Sequence, residues 1–131
     1  MRHLPPFSVL KGTVRLISVK GQIKVDMSYD ELLDLVKRFL AAVPFEEAWY
    51  LQTYPDVAEA IREGAYTSGR AHFIAHGYFE GRRPFPPEVD EAWYLNTYPD
   101  VAESVQRGEV DSALDHFARH GYQEGRLPGE G

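Results

Sequence analysis

Two histidine pairs, His72-x-x-x-His76 and His116-x-x-x-His120, are the residues of this chain whose type and spacing most resemble a chemical site. Residues four apart share a helical face, so each pair presents two imidazoles side by side. That spacing can ligate Zn²⁺ or a similar ion, and two pairs facing one another would supply four ligands. No Glu follows the first His of either pair, so the zincin arrangement, and metalloprotease chemistry with it, has no support. Each pair also ends at a glycine, Gly77 or Gly121, and a histidine at a helix carboxyl end donates to free backbone carbonyls. The pairs therefore read first as structural histidines, with metal ligation by His72, His76, His116 and His120 as the alternative. The chain contains no cysteine, which removes thiolate nucleophiles, Cys-based zinc sites and disulfides.

Two further groupings carry chemistry. Glu80-Gly81-Arg82 and Glu124-Gly125-Arg126 place an acid and a guanidinium around a glycine. One reading makes Arg an anion clamp and Glu an acid or base. The other makes them a staple that ties the loop to the helices through Asp56 or Asp100. The staple is favoured, because one active site rarely appears twice in a small chain. Trp49, Tyr50, Tyr54 and Tyr78, with Trp93, Tyr94, Tyr98 and Tyr122, offer rings that could stack on sugars. In so small a helical unit such rings are more often core, leaving Tyr54 and Tyr98 the most exposed. The candidate glycan residues on this pattern are Trp49, Tyr54, Trp93 and Tyr98. No Gly-rich phosphate loop and no Gly-x-Ser-x-Gly elbow occurs.

Every one of these groups occurs twice, at a constant offset of 44 residues. Glu47-Ala48-Trp49-Tyr50-Leu51 and Thr53-Tyr54-Pro55-Asp56-Val57-Ala58-Glu59 return as Glu91-Ala92-Trp93-Tyr94-Leu95 and Thr97-Tyr98-Pro99-Asp100-Val101-Ala102-Glu103. Aligned over 45–84 and 89–128, more than half of the positions are identical. Each copy reads as three short helices. The first spans about 46–53 (90–97) and the second starts at Pro55 (Pro99), where a missing amide is harmless. Gly64 (Gly108) ends the second in the left-handed conformation. The third spans about 68–76 (112–120), capped by Ser68 (Ser112) and terminated by Gly77 (Gly121). Pro84-Phe85-Pro86-Pro87 is a stiff connector too short for independent domains.

The pattern Trp-Tyr-Leu-x-x-x-Pro-Asp-Val-Ala, then Gly, then Ser-x-x-x-His-Phe-x-x-x-Gly-x-x-Glu-Gly-Arg-x-Pro resembles a short helical repeat of many bacterial proteins. That repeat often lies near calcium-binding RTX-type repeats or beside glycosyltransferase and polysaccharide-related domains. The resemblance covers 45–128 and not the N-terminal arm. Tyr54 and Tyr98 depart from it, since members commonly carry Asn before Pro-Asp. It implies an accessory or adhesive module, with bacterial surface or glycan associations and no defined catalytic residues.

Ahead of the repeats lie a 1–27 arm and a helix over 28–44. Residues 1–12 read as an extended lead-in, because Pro5-Pro6 bars helix. Thr13–Met27 reads as a β-hairpin turning at Lys20-Gly21. The register pairs Arg15 with Asp26 and Leu16 with Val25, and puts Val14, Leu16, Ile23, Val25 and Met27 on one face. Isolated hairpins are marginal, so this one must pack on the helices or pair its edges with another chain. Ser28-Tyr29-Asp30-Glu31 is a capping box opening an amphipathic helix that Pro44 ends and that caps the first repeat.

The net charge of −6 is unevenly shared. Arg2, Lys11, Arg15, Lys20 and Lys24 face a single acid, Asp26, in residues 1–27, a local charge of +4 against −10 for the rest. A basic arm on an acidic body can dock on another copy or another protein. Five cations without interleaved aromatics make a poor nucleic-acid footprint, and no apolar run is long enough for a membrane span. No signal peptide is read at the start, and with the absence of cysteine this fits the cytoplasm. The expected fold is mainly α with a small N-terminal β-hairpin (α+β), two tandem three-helix repeats packed as one body over 45–87 and 88–131. The expected function is a non-enzymatic interaction or scaffold protein, without cofactor, that forms a homo-oligomer or binds another protein through Arg15, Ile17, Lys20 and Lys24. Glycan binding is the first alternative and metal binding the second.

Overall fold

A computed structural model of the chain describes residues 3–131. Arg2, one of the arm's five cations, lies outside the described residues. The protein is mainly helical with one two-stranded antiparallel sheet. It divides into two compact units between Phe85 and Pro86.

The first unit opens with a short helix, α1 (Phe7–Gly12), which buries none of its residues. The sequence predicts an extended lead-in here. Pro6 sits in extended geometry at the N-cap position, and a proline just before a helix removes only an amide that has no intrahelical partner. The double proline therefore sets where this helix starts rather than forbidding it. Strands β1 (Arg15–Val19) and β2 (Gln22–Asp26) follow, joined at Lys20-Gly21 with φ of 51° and 79°. Two successive positive φ values match the twist of the flanking strands, and Gly21 takes one without strain. The register is Arg15 to Asp26, Leu16 to Val25, Ile17 to Lys24, Ser18 to Ile23 and Val19 to Gln22, as the alternation predicts.

Helix α2 (Tyr29–Leu40) starts at Ser28, whose hydroxyl oxygen accepts from the Glu31 amide at 3.1 Å and donates to the Glu31 carboxylate at 3.2 Å. Leu40 is buried, and Val36 and Val43 pack with it against Tyr50, Val57 and Phe73 of the first repeat. Leu32 and Phe39 stay exposed.

The repeat that follows is built from α3 (Glu47–Thr53), α4 (Pro55–Arg62) and α5 (Gly69–His72), with α5 running on into a π-helical turn over Phe73–Gly77. In the second unit α6 (Glu91–Thr97), α7 (Pro99–Gln106), α8 (Ala113–His116) and a π turn over Phe117–Gly121 reproduce these elements. Gly64 and Gly108 stop the middle helices at φ of 83° and 74°. Each repeat closes on itself. The Glu46 amide donates to the Pro84 carbonyl and the Asp90 amide to the Pro128 carbonyl, each at 2.9 Å. The core of the second unit gathers Tyr94, Val101, Ala113 and Phe117.

The third helical piece ends at Gly77 and Gly121, where the sequence places its terminators, but neither glycine takes a left-handed φ. In the loops that follow, positive φ falls at Gly81 and Gly125, at 83° and 79°. Gly77 instead lies in the π turn, where the Tyr78 amide reaches the Phe73 carbonyl at 2.9 Å.

Candidate functional site

Tyr50 and Tyr94 organise the interior of the two units. Both are fully buried, and each hydroxyl needs a partner because an unpaired buried donor is costly. That partner is the first histidine of each pair: the Tyr50 hydroxyl lies 2.9 Å from His72 Nδ1, and the Tyr94 hydroxyl 2.8 Å from His116 Nδ1. His72 Nε2 faces Glu80 at 3.7 Å. A carboxylate opposite Nε2 favours the proton there, so Nδ1 accepts from the Tyr50 hydroxyl. Burial pushes both tyrosine hydroxyls above their ordinary pKa. Burial, reinforced by Arg82 or Arg126, pushes His72 and His116 below theirs. The bonded pairs are thus held neutral on both sides.

His76 and His120 are exposed, with ring centroids 6.2 Å and 5.7 Å from His72 and His116. The spacing does bring each histidine pair to one face. One imidazole of each pair is already bonded to a tyrosine, however, and among the described residues no group of three or more His, Asp or Glu side chains is placed to hold a metal. The arrangement favours the structural role for His72 and His116.

Arg82 and Arg126 act as staples. Arg82 binds Asp56 through two bonds of 2.9 and 2.7 Å, and Arg126 binds Asp100 through bonds of 3.0 and 2.7 Å. The guanidinium holds each aspartate below the usual carboxylate range. The same guanidinium lies over Tyr54 (5.0 Å to the centroid) or Tyr98 (4.8 Å). The hydroxyls of Tyr54 and Tyr98 accept from the amides of Arg83 and Leu127. These two tyrosines are therefore half-buried, stacked and bonded, not the exposed rings that the sequence predicts. Trp49 and Trp93 are half-buried as well, edge-on to Tyr54 and Tyr98 at 6.2 and 6.1 Å. The glycan candidates of the sequence are mostly spent inside the repeats.

Glu47 and Glu91 do work that the sequence reading missed. Both stand in the first turn of their own helices, yet the Glu47 carboxylate accepts the Gly69 and Arg70 amides at the start of α5. Glu91 accepts the Ala113 amide at 2.9 Å. Repetition of Glu ahead of Ala-Trp-Tyr-Leu is the only sequence trace of this long-range cap. Arg70 likewise donates to the Val43 carbonyl at 3.2 Å, beyond the last turn of α2, and lies over Phe45.

The hairpin is the opposite case. Both strands are exposed along their whole length. Arg15 is paired across the strands with Asp26 at 3.3 Å, Ile17 faces Lys24 on the same side, and Lys20 stands at the turn. On the other face Leu16, Val25 and Ile23 are open, Ile23 to 77 %. The sequence marks this apolar face, but not that it stays uncovered. Among the described residues no helix is long and apolar enough to cross a membrane.

No family model matches this chain, and no curated protein and no solved structure shows significant similarity to it.

Proposed function

We propose that this is a non-enzymatic bacterial interaction or scaffold protein that associates with a second copy of itself through the N-terminal hairpin. The observation that carries the reading is the exposure of the hairpin. A two-stranded ribbon is marginal by itself in water, yet β1 and β2 bury none of their residues. Leu16, Ile23 and Val25 give one apolar face. The outer edges of β1 and β2 offer unpaired backbone groups, and edge strands of this kind template pairing with another chain.

Charge favours a second copy as the occupant. Arg15, Lys20 and Lys24 sit on a basic arm, and the rest of the same chain is strongly acidic. Arm and body of two copies therefore attract, in either order. Arg15, Lys20 and Lys24 supply the charge of the contact, with Ile17 on the same strand face, and Leu16, Ile23 and Val25 form the apolar side. The non-enzymatic reading rests on the repeats, whose His72, His116, Arg82 and Arg126 are engaged in bonds that hold the fold. The resemblance to a bacterial accessory repeat points the same way.

Solution mass by light scattering tests this. The full chain should form a defined oligomer, and Ile23→Asp should weaken it by about 2 kcal/mol, roughly thirtyfold, from lost apolar burial. Ile23 is so exposed that the monomer fold tolerates the change. A full chain that stays monomeric at high concentration overturns the reading.

A further inference from the structure

The two repeats share one polar framework but differ beside it. An open groove of about 760 Å³ runs along the first repeat against α2, within the size range of small-ligand sites. Its polar floor is His72, with Glu80 3.7 Å from Nε2. Tyr66 stands edge-on to both histidines, 4.9 Å from His72 and 5.9 Å from His76. Phe79, 40 % exposed, lines the rim, and the ammonium of Lys37 in α2 lies over its ring at 5.9 Å from the centroid. The second repeat keeps the Tyr–His bond, the Asp–Arg pair and the Glu. At the positions of Tyr66, Ala75 and Phe79 it carries Val110, Arg119 and Gln123. The framework is therefore common, and the aromatic walls and the small Ala75 between them belong to the first repeat alone.

The side chains that line the groove define a ligand class. Lys37 and Arg82 balance Asp56 and Glu80, so the lining carries no net charge. It combines a part-exposed aromatic ring, with the Lys37 ammonium over it, with a carboxylate acceptor at Glu80 and donors at Lys37 and His72 Nε2. A ring with one apolar face and a rim of hydroxyls matches that set: the ring lies on Phe79, hydroxyls donate to Glu80 and accept from Lys37. From this we infer that the groove beside His72 and Phe79 binds a neutral pyranose saccharide. The inference does not rest on self-association, because no groove residue belongs to the hairpin.

The test is an NMR titration of the full-length labelled chain with neutral gluco-, manno- and galacto-oligosaccharides, and with oligogalacturonate as the anionic comparison. At least one neutral oligosaccharide should shift the Tyr66, His76 and Phe79 signals at saturable concentrations. Phe79→Gln and Ala75→Arg, each the residue that the second repeat carries, should weaken that binding at least tenfold while the melting temperature stays unchanged. Phe79 is exposed enough that its replacement leaves the fold intact even if Ala75→Arg does not. Silence toward all three neutral oligosaccharides, binding of oligogalacturonate alone, or unchanged binding in the Phe79→Gln protein overturns the inference.

Discussion

Gly77 and Gly121 are glycines because a tyrosine hydroxyl occupies the space where a side chain would begin. A Cβ at Gly77 would fall inside contact distance of the Tyr50 hydroxyl, and one at Gly121 would do the same to Tyr94. Neither tyrosine can yield, since each is fully buried and bonded to its histidine. Gly77→Ala should therefore cost about 1–3 kcal/mol, as overpacking does. In a Tyr50→Phe background the same change should cost clearly less, and denaturant melts of the four proteins in the cycle measure the difference. The histidines make a second residue-scale prediction. Their folded pKa lies below that of the unfolded chain, which protonates near about 6.5. Stability is then fully present above that pH and is lost as the pH falls toward the folded values, because the unfolded state takes up the proton first. Melting temperatures should be level from about pH 8 to about pH 7 and decline below about pH 6.5. A melt that is flat across that lower window would show that the Tyr–His bonds contribute nothing pH-linked.

Short helices of seven or eight residues, such as α3 and α4, are not stable alone, so each element here depends on ties to another. Asp56 in the first turn of α4 is held by Arg82 from the loop after the π turn, and Asp100 in α7 is held by Arg126. Arg82→Lys loses the second bond and the flat stack on Tyr54. With Asp56 largely exposed, the expected cost is about 1 kcal/mol. Arg126→Lys should give a similar loss in the other unit, checked by chemical denaturation. Glu47→Ala should cost about 1 kcal/mol for a different reason, since the amides of Gly69 and Arg70 lose their acceptor at the start of α5. Much of this element layout was legible beforehand. The capping box at Ser28, the serine caps at Ser68 and Ser112 and the stops at Gly64 and Gly108 all depend on residues within one turn of each other. The Glu47 cap was not legible, because its donor and acceptor are 22 residues apart and only folding brings them together.

The charge split between arm and body makes salt the natural probe at the level of the whole molecule. The proposed self-association should loosen as ionic strength rises, because exposed charges are screened beyond about 8–10 Å at physiological salt. Lys20→Glu with Lys24→Glu should remove that salt dependence along with much of the association. Hydrogen exchange gives a second readout of the same contact. Amides on the outer edges of β1 and β2 should exchange freely in dilute protein and become protected at concentrations where the mass increases. Protection that is the same at both concentrations would place the hairpin outside the interface.

By itself the sequence determined the hairpin register, the helical content and the twofold internal repetition, and it marked Arg82 and Arg126 as staples that reach Asp56 or Asp100. These follow from alternation, turn chemistry and repeated spacing, which act over short distances or are written twice. Tertiary structure alone decided the rest. It left Leu16, Ile23 and Val25 uncovered, turned Tyr54 and Tyr98 from open platforms into stacked and bonded residues, and made Gly77 a point of close approach to Tyr50. The sequence expects α2 to cap the first repeat, but only the tertiary structure brings Lys37, Tyr66 and Phe79 together to line one groove there. Burial and long-range hydrogen bonding depend on which surfaces meet, and no local pattern of residue types encodes that.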